Sequence, residues 1–119
     1  MNNYITKDIV NQNHTIILLS SNRTTGYQWY IKSLNGIDIN NYKYINKDTK
    51  YIDQGEYNNI FFTKIYKKKR NPEKLMGVGG HDIFLFYTKN KKIFDIEFIL
   101  KRPWENNIIN NKYYKLNFK

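Results

Sequence analysis

The stretch Asn22-Arg23-Thr24-Thr25-Gly26-Tyr27-Gln28-Trp29 decides how this chain is read. It lies between an apolar run, Ile16 to Leu19, and an aromatic run, Tyr27, Trp29 and Tyr30. Asn turns the chain because its side chain bonds nearby backbone, and Gly because it accepts positive φ. Tyr27 and Trp29 alternate with Gln28 at the period of a strand, so their side chains are expected to share one face. The expectation is strand, tight polar loop, strand, with the threonine pair at the tip. Taken alone, such a loop is an ordinary connection in any all-β domain.

The rest of the chain extends the same pattern. Tyr4 to Val10 reads as a ragged first strand. In His14 to Leu19, Ile16 and Leu18 fall on one face and Ile17 and Leu19 on the other, so both faces are apolar. Gln28 to Lys32 forms the next strand. From Ser33 to Asn59 the signal degrades into Asn, Asp, Lys and Tyr, with short strands expected at Tyr42 to Ile45 and Thr49 to Ile52. An inserted or mobile segment is expected around 46–59 within a single domain spanning 1–119. Ile60 to Tyr66 is a clear strand that ends in the basic run Lys67-Lys68-Lys69-Arg70, and Asn71-Pro72 breaks the pattern.

His81 to Thr88 alternates well, with Phe84 and Phe86 opposite Ile83, Leu85 and Tyr87. After a turn at Asn90-Lys91, Ile93 to Leu100 returns with Phe94, Ile96, Phe98 and Leu100 aligned. Tyr114, Leu116 and Phe118 line one face of a closing strand from Tyr113 to Phe118. No stretch of useful length has helical period. Short strands separated by turn signals read as an all-β, immunoglobulin-like antiparallel β-sandwich.

Composition sets bounds on function. At 119 residues the chain holds one domain with one modest core. Apolar residues make up 40% and aromatic residues 17%, enough to fold, and the abundance of Tyr, Ile and Phe favours pleated surfaces. Cysteine is absent, which removes disulfides, a thiolate nucleophile and Cys-ligated zinc. No cofactor or metal is expected. The N-terminus has no apolar core of an export signal, and no run is long enough to cross a bilayer, so the chain as given reads as soluble, or as a domain of a longer secreted or vesicular precursor. A net charge of +10 raises the prospect of nucleic-acid binding. The lysines are scattered, however, and a solvated surface accounts for them better.

Catalysis finds little support. The only histidines are His14, at a strand start, and His81, beside a glycine-rich stretch. A hydroxyl nucleophile such as Thr24 needs a base and a group to orient it, and no acid is placed for that role. The run Met76-Gly77-Val78-Gly79-Gly80 lacks the Gly-Lys-Ser/Thr ending of a phosphate loop, and no helical pattern follows. It reads either as a flexible turn or as a loop whose bare backbone presses close to a partner. Arg102-Pro103-Trp104-Glu105 follows the last strong strand. It is either a rim that packs on the sandwich or a pair of hot-spot residue types presented by proline.

Taken in order, Asn-x-Thr-Thr-Gly-Tyr, Gly-x-Gly-Gly and Arg-Pro-Trp resemble the chagasin-like inhibitors of papain-family cysteine peptidases. The resemblance spans about His14 to Glu105 and the strand near Tyr113 to Phe118. It implies three loops at one end of an immunoglobulin-like sandwich, occlusion rather than chemistry, and no enzyme activity. Carried over by position, Asn22, Arg23, Thr24, Thr25, Gly26 and Tyr27 form the loop that enters the cleft, with Thr24 and Thr25 nearest the peptidase's cysteine and histidine. Met76, Gly77, Val78, Gly79 and Gly80 lie along the non-primed side, and Arg102, Pro103 and Trp104 along the primed side. The implied partner is a papain-family cysteine peptidase bound one-to-one by a monomer, with neither nucleic acid nor membrane involved.

Arg23 departs from the family, which commonly has proline there. Asn13-His14-Thr15 and Asn22-Arg23-Thr24 also match the N-glycosylation pattern, and a glycan on Asn22 would obstruct the loop. The readings that compete are a basic sandwich module binding nucleic acid or another acidic partner, and a plain scaffold sandwich.

Overall fold

The alternation becomes two stacked sheets in the computed structural model, which describes residues 3–38, 43–44, 54–57, 59–68 and 79–119. In chain order the strands are β1 (Tyr4–Ile9), β2 (His14–Ser21), β3 (Gln28–Leu34), β4 (Ile37–Asp38), β5 (Lys43–Tyr44), β6 (Gln54–Tyr57), β7 (Ile60–Lys68), β8 (Gly80–Thr88), β9 (Ile93–Lys101) and β10 (Asn110–Phe118). A single 3-10 turn, Arg23–Thr25, lies between β2 and β3. One sheet runs β1-β10-β9-β3-β4 and the other β2-β8-β7-β6-β5. The chain therefore changes sheet after β1, β2, β4 and β8.

Pairing is antiparallel throughout except at one edge, where β1 runs parallel to β10 with Tyr4 opposite Tyr113 and Ile9 opposite Phe118. The antiparallel sandwich read from the sequence is the fold found, with this one parallel pair added at its edge. After β1 the chain crosses to the other sheet, so no hairpin constrains the direction of β1 at the edge it joins. The strand read as Tyr42 to Ile45 is seen as β5. The one read at Thr49 to Ile52 lies outside the described residues, as do 46–53 and 58 of the expected inserted segment. Gln54–Tyr57 pairs with β7, placing Gly55 opposite Phe62. A side chain on Gly55 would collide with the Phe62 ring, so the missing Cβ lets the ring cover the strand.

The core forms where the inward faces meet. Phe84 and Phe86 of β8 oppose Phe94, Ile96 and Phe98 of β9, with Leu19, Leu34, Ile60 and Leu116 closing the layer. Phe98 is central: its ring centroid lies 4.8 Å from Phe84, 6.4 Å from Phe86 and 5.5 Å from Tyr114. These separations suit tilted and edge-on aromatic packing. Strand β2 buries Thr15, Ile17 and Leu19 and leaves Ile16 and Leu18 exposed. Both its faces are apolar, but a two-layer sandwich covers only one face of each sheet. The free edge of β2 is protected in part by Lys7, whose Nζ donates to the Ile16 carbonyl at 2.7 Å.

Truncating the ring at the junction of both sheets should be costly. Phe98→Ala is expected to lower unfolding free energy by about 3–5 kcal/mol, read by urea denaturation. A loss below about 1 kcal/mol would mean that the two inner faces do not depend on this ring.

Candidate functional site

Three connections emerge at one end of the sandwich: β2–β3, β7–β8 and β9–β10. The register requires this, because Ser21 and Lys68 both oppose Gly80, and Gln28 opposes Lys101.

The threonine loop is held by its first residue. Asn22 Oδ1 accepts the Thr24 N–H at 3.1 Å and the Thr24 hydroxyl at 2.6 Å. The Asn22 carbonyl accepts the Thr25 hydroxyl at 2.8 Å and the Thr25 N–H at 3.2 Å. The side-chain bond of Asn22 to a residue two positions on is what its turn-forming chemistry predicts. Thr24 and Thr25 are exposed, yet both hydroxyl protons are directed back into the loop. Thr24 Oγ1 faces Asn22 rather than a base, so the loop has no activated nucleophile.

The Arg-Pro-Trp loop is joined to the threonine loop. Arg102 Nε donates to the Thr25 carbonyl at 2.9 Å, and its guanidinium carbon lies 4.3 Å from the Tyr27 ring centroid. Glu105 Oε1 accepts from Arg102 at 3.2 Å, which fixes the other side of the fork. Gly26 has φ of 83°, and a Cβ there would overlap the Trp104 indole. Glycine is therefore needed for both the backbone conformation and the close approach of the ring. Trp104 nevertheless remains 67% exposed, so it covers Gly26 and still presents most of its surface.

Of the glycine-rich stretch, Met76, Gly77 and Val78 lie outside the described residues. Gly79 and Gly80 sit at its base, and a Cβ on Gly79 would come within 3.1 Å of the Ser21 carbonyl, one residue before Asn22. Asn22, Thr25, Tyr27, Gly79, Gly80 and Ile109 line an open cleft of about 590 Å³ at this end. A smaller apolar hollow of about 270 Å³ lies around Phe61, Phe62 and Tyr87, away from the loops. Among the described residues no group of His, Asp and Glu is arranged to hold a metal ion.

Beneath the loops lies a buried polar cluster that the sequence reading passed over. Asp82 Oδ2 accepts the Trp29 N–H at 2.9 Å, linking β8 of one sheet to β3 of the other. Lys64 Nζ stands 4.0 Å from the Asp82 carboxylate, 4.2 Å from the Tyr30 ring centroid and 3.3 Å from Gln28 Oε1. The Trp29 indole N–H donates to the Ser20 carbonyl at 2.9 Å. The first residues of β3 are thus pinned directly behind the threonine loop. The signal was present: Asp82 is in phase with Phe84 and Phe86, and Lys64 with Ile60 and Phe62. On β10, desolvation and then the Glu97 carboxylate raise the Tyr113 phenol above its ordinary value, and burial raises Tyr114, so neither carries charge at neutral pH.

Two substitutions report on this construction. Asp82→Ala leaves Lys64 buried without its carboxylate and should destabilise the fold by about 3–5 kcal/mol in chemical denaturation. Gly26→Ala should displace the indole, giving a shift in tryptophan fluorescence that the Trp104→Phe background lacks. An unchanged spectrum would mean that Trp104 does not rest on Gly26 in solution.

The family model described as Chagasin family peptidase inhibitor I42 matches residues 9–118. A search of curated proteins returned no match. Among solved structures, PbICP-C in complex with falcipain-2 is similar with a TM-score of 0.66 and 18% identity, covering 100% of this chain and 90% of that one. The solution structure of amebosin gives 0.61 and 22%, covering 99% and 91%. EhICP2, a cysteine protease inhibitor from Entamoeba histolytica, gives 0.62 and 16%, covering 98% and 87%. At these identities the structures speak for the fold, a β-sandwich shared along the whole chain. The family match carries the assignment: this chain belongs to the chagasin family of peptidase inhibitors, which are inhibitors and not enzymes.

Proposed function

We propose that this chain is a reversible, occluding inhibitor of papain-family cysteine peptidases that inserts its threonine loop into the catalytic cleft. The observation that carries the reading is the junction of two loops into one edge, through Arg102 on the Thr25 carbonyl and Trp104 on Gly26. Such an edge loses little conformational freedom on docking, which favours tight binding from a modest contact area. The structure of PbICP-C bound to falcipain-2 supports a peptidase of this class as partner.

Occlusion without cleavage follows from loop shape. A peptidase cuts a segment laid out in extended conformation through its cleft, whereas Arg23–Thr25 is wound into a 3-10 turn closed by Asn22. Thr24 and Thr25 would lie nearest the cysteine and histidine of the enzyme, offering small side chains whose hydroxyls are already bonded. Met76 and Val78 would make apolar contacts on the non-primed side, with the backbone from Gly77 to Gly80 pairing in strand-like fashion. Trp104 would stack on an aromatic surface on the primed side, held by Arg102 and Pro103. An unmodified Asn22 is required, because its side chain is the closure of the loop and a glycan there would block entry.

Residual activity of papain titrated with the protein tests this reading, and a complete lack of inhibition would end it. Trp104→Ala should weaken binding about thirtyfold or more, chiefly through faster dissociation, since a buried aromatic anchor is worth about 2 kcal/mol or more. Thr24→Ala should cost only about 1 kcal/mol, because the loop remains in the cleft. Thr24→Asp should cost more than Thr24→Ala by burying a charge. Thermal melts of each variant separate lost binding from lost folding.

A further inference from the structure

Acidic residues are spread unevenly along the sandwich, whereas lysines occur at both ends. Among the described residues, Asp8, Asp38, Glu56 and Asp95 lie toward the end opposite the loops, opposite Asn117, Ser33, Phe61 and Lys115 in the strand registers. Glu97 stands level with Asp38, opposite Tyr113 on one side and the same Ser33 on the other. Among the described residues, the acids at the loop end are Asp82 and Glu105, and each faces a cation, as Asp8 and Asp95 do at the far end. Lys64 stands 4.0 Å from Asp82, and Arg102 stands 3.2 Å from Glu105.

Further positive charge occupies the same end. Arg23 is in the threonine loop itself, and Lys67 and Lys68 end β7 opposite His81 and Gly80. Lys112, near the start of β10, has its Nζ 5.3 Å from the Trp29 ring centroid. The Lys67 side chain is exposed. The basic run that begins at Lys67 was set aside in the sequence as solvated surface. The register places its first residues beside the base of the glycine-rich loop.

We propose that this end forms an electropositive rim that speeds capture of papain-fold peptidases whose cleft surround is acidic, with Lys67 as a specificity-determining residue outside the occluding loops. The inference rests on the inhibitor reading. A charge at the rim of an interface acts mainly before contact: it raises the rate of encounter and is weakened by salt, while dissociation depends on the buried anchors. Lys67 lies beside the wedge rather than on it, so its effect should be of this kind. At physiological ionic strength the Debye length is about 8 Å, short enough that a lysine beside the docked edge acts while one at the far end does not.

The test measures association and dissociation rates on two papain-family peptidases, one acidic and one basic around the cleft, across a range of sodium chloride. With the acidic enzyme, the association rate of the parent should fall as salt rises. Lys67→Glu should slow association about three- to tenfold at low salt, leave dissociation unchanged and flatten the salt dependence. Lys67→Gln should give a smaller change in the same direction. With the basic enzyme the trends should reverse sign. Lys91→Glu, the same change of charge at the opposite end, should alter association by less than twofold on either enzyme. Inhibition with salt-independent association, or equal effects of Lys67→Glu and Lys91→Glu, overturns this inference and leaves the inhibitor reading standing. Absence of inhibition of both enzymes removes the inhibitor reading and this inference with it.

Discussion

The loop end depends on one buried carboxylate. Asp82 reaches from β8 to the backbone N–H of Trp29 on β3, and is compensated by Lys64 from β7. An ion pair inside a small sandwich is a weak source of net stability, since desolvation offsets most of the attraction. Its value here is positional. Apolar contacts let two sheets slide by a fraction of a residue at modest cost, whereas a directed hydrogen bond to one N–H does not. The sheets are therefore referenced to each other at the level where the threonine and Arg-Pro-Trp loops begin. Trp29 adds a second tie through its indole N–H on the Ser20 carbonyl.

Above that level, each loop uses the other as its support. Asn22 closes the threonine loop from within, and Arg102 closes it from the neighbouring loop. Individually these contacts are small; an exposed cation–π contact is worth about 0.5–1 kcal/mol and a half-exposed ion pair no more. Their effect is to narrow the ensemble before the partner arrives. Trp104 takes part in both tasks, since the face that covers Gly26 organises the loop and the remainder stays available. Any change at Trp104 consequently reaches the threonine loop as well.

Much of the fold was legible because period-2 alternation is a local property. Counting alone grouped Phe84 with Phe86, and Phe94 with Ile96 and Phe98, on shared faces, and the structure buries those faces. The hairpin at Asn35-Gly36 was missed, although both residues have positive φ, of 52° and 77°, the conformation that a two-residue turn with this sequence favours. Its strand β4 is only two residues long, too short to stand out from the polar segment around it. The parallel edge of β1 on β10 could not be read either, because strand direction across a change of sheet has no local signature. Within the site, the turn chemistry of Asn22 and Gly26 was visible from residue type. The Asp82–Lys64 pair was available in the alternation but was obscured by the apolar residues beside it.

The sequence by itself determined the class of the fold and the place of its long strands, since these follow from side-chain period and turn propensity along the chain. Only the tertiary structure decided that Arg102 bonds to Thr25, that Trp104 lies on Gly26, and that Asp82 answers Trp29 across the sheets. Each of those contacts joins residues far apart in the chain. Whether they meet depends on register and on sheet stacking, which are settled by the packing of the whole core and not by any local preference.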